Sequence, residues 1–456
     1  MFDLTISGAA AICGGPVYGM PEKDTELTRI VIDSRKASPG SLFAAYKGEK
    51  TDGYYYINAA FENGAACALA ERLPEDAKGP VIVCEDVQEA LERLTSAFRE
   101  KLRIPVFGIT GSVGKTTAKE MVSSVLGKHF RVHKTEGNQN NLIGLPLSVS
   151  SVQREDEIAV LELGINHFGE MDRLGAMAKP DIMLFTRIGH AHLEYLGDLN
   201  GVFRAKTEVL AHMSPDAPLI FNGDDPYQQP LKSRQHTLTF GRGTDCDVCS
   251  ENIRSDEEGL LSFDICYRSR RIPVSLSSFG DHLLYAALEG AAAGIYFGLS
   301  DEEIAAGIAA YHTVGRRFAC RYTGFIRLID DCYNANPDSV MSSVSSLAEL
   351  PGRRVCILGD MRELGKGAAT MHEEVGAFIR EKGIDLLICC GEYCRMTAAG
   401  FGSGAVTYSD KQELIAALPS QIRKEDAVLV KASLACDFAE VSNALEKLGE
   451  PSEADE

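Results

Sequence analysis

The sequence predicts an α/β protein of three domains. A central parallel-sheet domain built on a phosphate-binding loop (P-loop) is flanked by a small N-terminal α/β domain and a C-terminal Rossmann-like domain. Three observations carry this. A short apolar run at 106–109 leads through glycines into a helix that opens at Lys115. Apolar strands alternate with helical segments along most of the 456 residues, which is the rhythm of βαβ units. The pattern breaks near residue 102 and again at Gly315-Arg316-Arg317, giving segments 1–102, 103–314 and 315–456. Each is long enough to bury a core of its own.

Composition removes several classes of function. With 45% hydrophobic and 24% charged residues, the chain reads as soluble and globular. No run reaches the eighteen or so apolar residues of a membrane span. The N-terminus lacks a basic segment followed by an apolar one, so a cytoplasmic protein is expected. A net charge of −19 argues against nonspecific nucleic-acid binding, which needs basic surface. Anionic small molecules stay possible, because local lysines and helix N-termini hold phosphates in acidic proteins. The thirteen cysteines are scattered, and Cys246 and Cys249 form a lone C-x-x-C without a second pair. Reduced thiols are expected.

In the first segment, a strand at 30–32 runs into Asp33-Ser34-Arg35, and a turn at Pro39-Gly40 precedes a strand at 42–45. A turn at Asp52-Gly53 and an alanine-rich helical stretch lead to strands at 67–69 and 81–83, then an amphipathic helix at 87–101. In the second, Ala118, Met121, Val122, Val125 and Leu126 recur at helical spacing and Gly127 stops the helix. Segments 158–163 and 182–188 are apolar enough for central parallel strands, and 219–221 is another, closed by Asn222-Gly223-Asp224-Asp225. Residues 237–276 read as an antiparallel edge, followed by helices at 281–297 and 301–311, the latter opened by Ser300 and Glu303 at capping-box spacing. In the third, strands at 354–358, 385–389 and 427–431 alternate with helices at 371–382, 410–418 and 437–448. No G-x-G-x-x-G is present, which disfavours dinucleotide binding, and the acidic tail after Gly449 is expected to fray.

Chemistry concentrates in the middle segment. In Thr110-Gly111-Ser112-Val113-Gly114-Lys115-Thr116-Thr117, loop amides and a helix N-terminus face an anion and Lys115 adds charge. A hydroxyl of Thr116 or Thr117 can hold magnesium. Ile109 stands where the usual loop has its first glycine. Glu162 ends one strand, His192 follows the next, Lys206 and Glu208 share a helical stretch, and Asn138, Asn140 and Asn141 cluster in a loop. Each alone is what an ordinary cap or satisfied core group looks like. Together, at the strand ends where open α/β sheets bind ligands, they point to metal-assisted phosphoryl transfer.

These residues carry a family resemblance. The 110–117 loop, the 138–146 loop, Glu162-Leu163-Gly164-Ile165-Asn166-His167, Ala191-His192-Leu193-Glu194 and Ala205-Lys206-Thr207-Glu208 resemble the Mur ligases of peptidoglycan synthesis. Asp330-Asp331-Cys332-Tyr333-Asn334-Ala335-Asn336-Pro337 and Leu358-Gly359-Asp360-Met361-Arg362-Glu363-Leu364-Gly365 narrow the likeness to a member that adds a D-alanyl dipeptide. The likeness covers nearly the whole chain. It implies a central ATPase domain and an ATP-dependent ligase joining D-alanyl-D-alanine to a UDP-linked muramoyl tripeptide through an acyl phosphate, acting as a monomer. By the same resemblance, ATP is held by residues 110–117, His282, Arg316 and Asp331. One magnesium (Mg2+) sits on Thr116 and Glu162, and a second on His192 and a carbamylated Lys206. The UDP-linked substrate meets Ser34, Arg35, Asp52, Asn138 and Asn141. Catalysis falls to Lys115, Glu162, His192 and Lys206.

Three stretches depart from the family pattern. His282-Leu283-Leu284-Tyr285-Ala286 lacks two asparagines on the adenine side, Lys431-Ala432-Ser433-Leu434 lacks an arginine, and Arg187 replaces an asparagine. The first predicts an apolar base slot that separates ATP from GTP weakly. The phosphate and metal residues match, so an active ligase is expected. The alternatives are a paralogue adding a different amino acid or dipeptide, and a nucleotide-binding regulator without turnover.

Overall fold

The computed structural model describes residues 4–48, 51–257 and 259–448, so the tail after Gly449 lies outside the described residues. Strand β1 (Val106–Thr110) is buried along its whole length. It pairs in parallel with β2 (Ile158–Glu162) on one side and β3 (Ile182–Phe185) on the other. Helices cover both faces, which is why these strands are continuously apolar instead of alternating. Next to β1 the chain enters α1 (Lys115–Leu126), and beyond β3 come α2 (Leu199–Thr207), β4 (Leu219–Asn222) and, later, α3 (His282–Tyr296). Helices α1 and α3 touch closely: a Cβ on Gly290 would lie 2.9 Å from Met121 Cγ.

The central sheet has nine strands, with Val132–Lys134 at one edge and Arg270–Ser275 at the other. Residues 237–276 are less uniformly antiparallel than their polar turns suggest. Thr237–Gly241 and Val248–Ser255 continue the parallel run, and the antiparallel pairing begins where Leu261–Tyr267 joins Val248–Ser255 and continues to Arg270–Ser275. Strand β3 stops at Phe185, short of Ile188, where its neighbour β1 ends at Thr110 and gives way to the P-loop, to which Thr186 donates its hydroxyl at Val113 O (2.7 Å).

The N-terminal segment is a five-stranded sheet, parallel except for Val17–Tyr18, and its alanine-rich helix is only the six residues Ile57–Glu62. The C-terminal segment is a six-stranded sheet with one antiparallel edge, Ala319–Tyr322. Its next strand, β5 (Arg327–Asp330), pairs in parallel with β6 (Ala427–Lys431). Between them in sequence is α4 (Pro337–Ala348), with Asn336 as N-cap and proline in its first turn. The sequence pattern passes over β5 and α4 because four-residue strands and serine-rich helices carry little periodicity.

The C-terminal segment grips the loop after β3. Asp338, in the first turn of α4, accepts from the backbone N–H of His190 at 2.6 Å and pairs with its ring at 2.9 Å. Glu363 bonds the His192 ring, and its backbone carbonyl accepts from Glu194 N at 3.1 Å. The hydrogen bond with Asp338 raises the pKa of His190, against the opposing effect of burial. Burial pushes Asp338 upward, but its bonds to His190 hold it below the usual carboxylate range. The charged pair therefore supports the contact fully below the ordinary imidazole pKa. That support is lost as pH rises through the elevated value of His190, and at the acid end as pH falls through the lowered value of Asp338. Asp338→Asn should bring the His190 pKa down toward 6.5, read by NMR titration of the ring. An unchanged titration contradicts the pairing.

Candidate active site

The P-loop is shaped by two glycines. Gly111 has φ 153°, and a Cβ there would lie 1.9 Å from Thr186 Oγ1; Gly114 has φ 84° and opens α1. Ser112 N donates to Arg187 O at 2.7 Å, so the loop is tied to the chain leaving β3. No side chain caps α1, which leaves its first N–H groups free for an anion.

Lys115 folds back, donating from Nζ to Gly111 O at 2.8 Å. Burial lowers its pKa; Glu162 works against that and Arg317 adds to it. Glu162 is 1% exposed at the end of β2. Its Oε2 accepts from Thr116 Oγ1 at 2.9 Å and its Oε1 from Asn140 Nδ2 at 2.7 Å. Lys206, on α2, is fully buried, and its Nζ has no hydrogen-bond partner among the described residues. Burial, then repulsion from Lys115, holds that amine far below the ordinary lysine range. His192 sits at φ 55° before the short helix Leu193–Leu196. Its Nδ1 is taken by Glu363, whose carboxyl that bond lowers, and Nε2 is left as the nitrogen for a metal.

Across from the loop, Asp331 Oδ2 accepts from Lys431 Nζ and Ser343 Oγ, both at 2.6 Å. The Arg317 guanidinium lies 3.6 Å above the Tyr333 ring. His282, pushed down to about 4 by burial, is neutral and packs edge-on against Phe318 at 4.7 Å.

These groups surround one cavity of about 1150 Å3 walled by all three segments: Tyr46 and Gln88 from the first, the P-loop and Glu162 from the second, Arg317 and Asp331 from the third. Of the residues singled out in the sequence, Ser112, Val113, Gly114, Lys115, Thr116, Thr117, Glu162, His192, His282, Asp331, Asn138, Asn140 and Asn141 line it, as do Arg187, Tyr285, Ala286 and Leu434 at the positions that depart from the family pattern. Several others do not. Thr110 is buried with its hydroxyl on Leu163 O, Gly111 lies beneath the loop, and Lys206 stands behind the wall. Arg316 is committed to Asp330 and Asn443, each at 2.6 Å, so the adjacent Arg317 faces the cavity in its place. Ser34, Arg35 and Asp52 are also absent from the wall: Asp33 and Asp52 cap short turns, and Arg35, paired with Asp33, has an 86% exposed side chain.

The sequence reading missed Arg317, Tyr333, Asp338 and Glu363 as site residues, although each lies within or beside a stretch it singled out. It also missed Glu289 on α3. Among the described residues no three His, Cys, Asp or Glu side chains converge as a metal site. The donors present are oxygens of Thr116 and Glu162 and one imidazole. That sparse set fits magnesium, which takes most of its shell from water and phosphate.

Residues 26–99 match the catalytic domain of the Mur ligase family, 109–294 the Mur ligase middle domain, and 316–434 the Mur ligase glutamate ligase domain. The UDP-N-acetylmuramoyl-tripeptide–D-alanyl-D-alanine ligase of Bacillus subtilis (strain 168) is 35% identical over 452 residues, covering 97% of this chain and 98% of the relative. A crystal structure of MurF from Acinetobacter baumannii matches with TM-score 0.88 at 28% identity, over 97% of this chain and 99% of that one. The MurF ligase of Thermotoga maritima in complex with ADP matches with TM-score 0.81 at 27% identity, over 92% and 97% of the two chains. Sequence, three-domain fold and cavity agree: the chain belongs to the Mur ligase family.

Proposed function

We propose that the chain is an ATP-dependent ligase that adds D-alanyl-D-alanine to UDP-N-acetylmuramoyl-tripeptide in peptidoglycan precursor synthesis. The observation that carries this reading is the half-buried Lys115 beside the Thr116–Glu162 pair, in a cavity to which all three segments contribute. In the first step a carboxylate oxygen of the tripeptide attacks the γ-phosphorus of ATP and ADP leaves. Lys115 and the amides of the P-loop and α1 stabilise charge on the transferring phosphoryl group. In the second the dipeptide amine attacks the acyl carbon of the acyl phosphate, the nitrogen loses a proton, and inorganic phosphate departs.

The segments divide the labour. Residues 103–314 bind ATP, with His282 on the base side and Asp331 and Arg317 reaching in from residues 315–456, which also bring the amine. Arg316 acts one step back, by holding Asp330. Residues 1–102 take the UDP moiety with Ser34, Arg35 and Asp52, and Asn138 and Asn141 meet the same substrate where it enters the cavity. The proposed active species is a monomer. Substrates charged with UDP and ATP place the reaction in the cytoplasm, and no helix among the described residues is long and apolar enough to cross a membrane.

Magnesium neutralises phosphate charge when bound. Thr116 and Glu162 would hold one ion, and His192 with a modified Lys206 a second. Burial favours the neutral form of the orphaned Lys206 amine, the form that adds carbon dioxide, and the resulting carbamate would exchange an unpartnered nitrogen for an anion that suits a hard cation.

Phosphate release should be fast with UDP-muramoyl tripeptide, ATP and D-alanyl-D-alanine, and at least about tenfold slower with single amino acids. Equal or greater release with a single amino acid would show a different amine substrate, and no release with any amine would show a non-catalytic protein. Lys206→Ala should cost at least about a hundredfold in kcat, with partial recovery on adding acetate. Full activity in the alanine variant contradicts the carbamate.

A further inference from the structure

Helix α3 turns one face to the cavity: His282, Tyr285, Ala286 and Glu289, at positions i, i+3, i+4 and i+7. Three of the four are accounted for. His282 is neutral and packs on Phe318, Tyr285 donates its hydroxyl to Asp224 at 3.1 Å, and Ala286 carries no polar group. Leu283, on the same helix, is fully buried in the core.

Glu289 is the exception. It is 4% exposed, lines the cavity, and has no hydrogen-bond or ion-pair partner among the described residues. Burial alone drives its pKa well above the ordinary carboxyl value, with no opposing cation or donor. Burial penalises an ionised carboxylate there and favours the carboxylic acid, which carries one O–H donor and one carbonyl acceptor side by side. A nearly buried acid that opens onto a ligand cavity without a protein partner marks a partner that arrives with the ligand.

The matching edge is on a base. Adenine presents its 6-amino donor beside a ring-nitrogen acceptor, the complement of a carboxylic acid. Glu289 lies on the helix that packs against the P-loop helix α1, in the cavity that holds the phosphate-binding groups. We propose that the Glu289 carboxylic acid reads the adenine edge of ATP, accepting from the 6-amino group and donating to the adjacent ring nitrogen. This replaces the apolar base slot inferred from Leu283 and Ala286 by a polar one, and it rests on the nucleotide site proposed above. The ATP-to-GTP ratio is not the diagnostic, because a carboxylic acid also complements O6 and N1–H of guanine. The 6-amino group is.

The test is equilibrium binding of magnesium-ATP and of purine riboside 5′-triphosphate, which lacks that amino group, to the full chain. The wild type should favour ATP by about tenfold or more. Glu289→Gln keeps a donor and an acceptor side by side and should keep the preference. Glu289→Leu should bind the two nucleotides within about threefold of each other without a fall in Tm, since it removes a buried polar group. A wild-type preference below about threefold, or a Glu289→Leu variant that keeps the wild-type ratio, overturns the proposal. Should the leucine variant not fold, the wild-type and glutamine ratios still decide. Lys115→Ala separates the two readings: if it binds ATP as tightly as the wild type, the nucleotide site itself is misplaced.

Discussion

Two amines, Lys115 half-buried in the cavity wall and Lys206 fully buried behind it, lie near enough to repel, and the rest of the cavity answers to that constraint. Burial lowers the pKa of each. Neither is neutralised by a carboxylate held against it in an ion pair. Lys115 bonds a loop carbonyl, and Lys206 bonds nothing among the described residues. Negative charge brought by a ligand is therefore stabilised more strongly here than it would be in water. Glu162 is held off Lys115 by Thr116 and Asn140, so the lysine stays available to phosphate and the carboxylate to a cation.

The loop after β3 converts this local arrangement into one that spans domains. Thr186 and Arg187 tie it to the P-loop, while Asp338 and Glu363 hold His190 and His192 from the C-terminal segment. The C-terminal segment and the P-loop thus share one short stretch of backbone. Under the proposed division of labour, chemistry that needs both is coupled to this contact between segments.

Much of this was legible in the chain because it is local. The β1–loop–α1 unit depends on apolar periodicity and two glycines within about twenty residues, and α1 begins at Lys115 as its spacing predicts. The ends of β2 and β3 place Glu162 and the His192 loop for the same reason. What was not legible depends on distance in sequence or on one residue of register. Glu363 meets His192 across 171 positions and Asp338 meets His190 across 148, and nothing in either neighbourhood marks the partner. Arg316 and Arg317 look alike in sequence, but the bond from Arg316 to Asp330 in β5 turns the first away and leaves the second over Tyr333. Glu289 sits in an apolar helical run, where helix periodicity hides a single acid.

The central claim is that the cavity makes an acyl phosphate, and isotope transfer tests it directly. With tripeptide labelled by 18O in its reacting carboxylate, turnover in the presence of ATP and D-alanyl-D-alanine should deliver one labelled carboxylate oxygen into each inorganic phosphate released. Unlabelled phosphate would mean that the carboxylate never bonded to phosphorus, and the account of the site would fall.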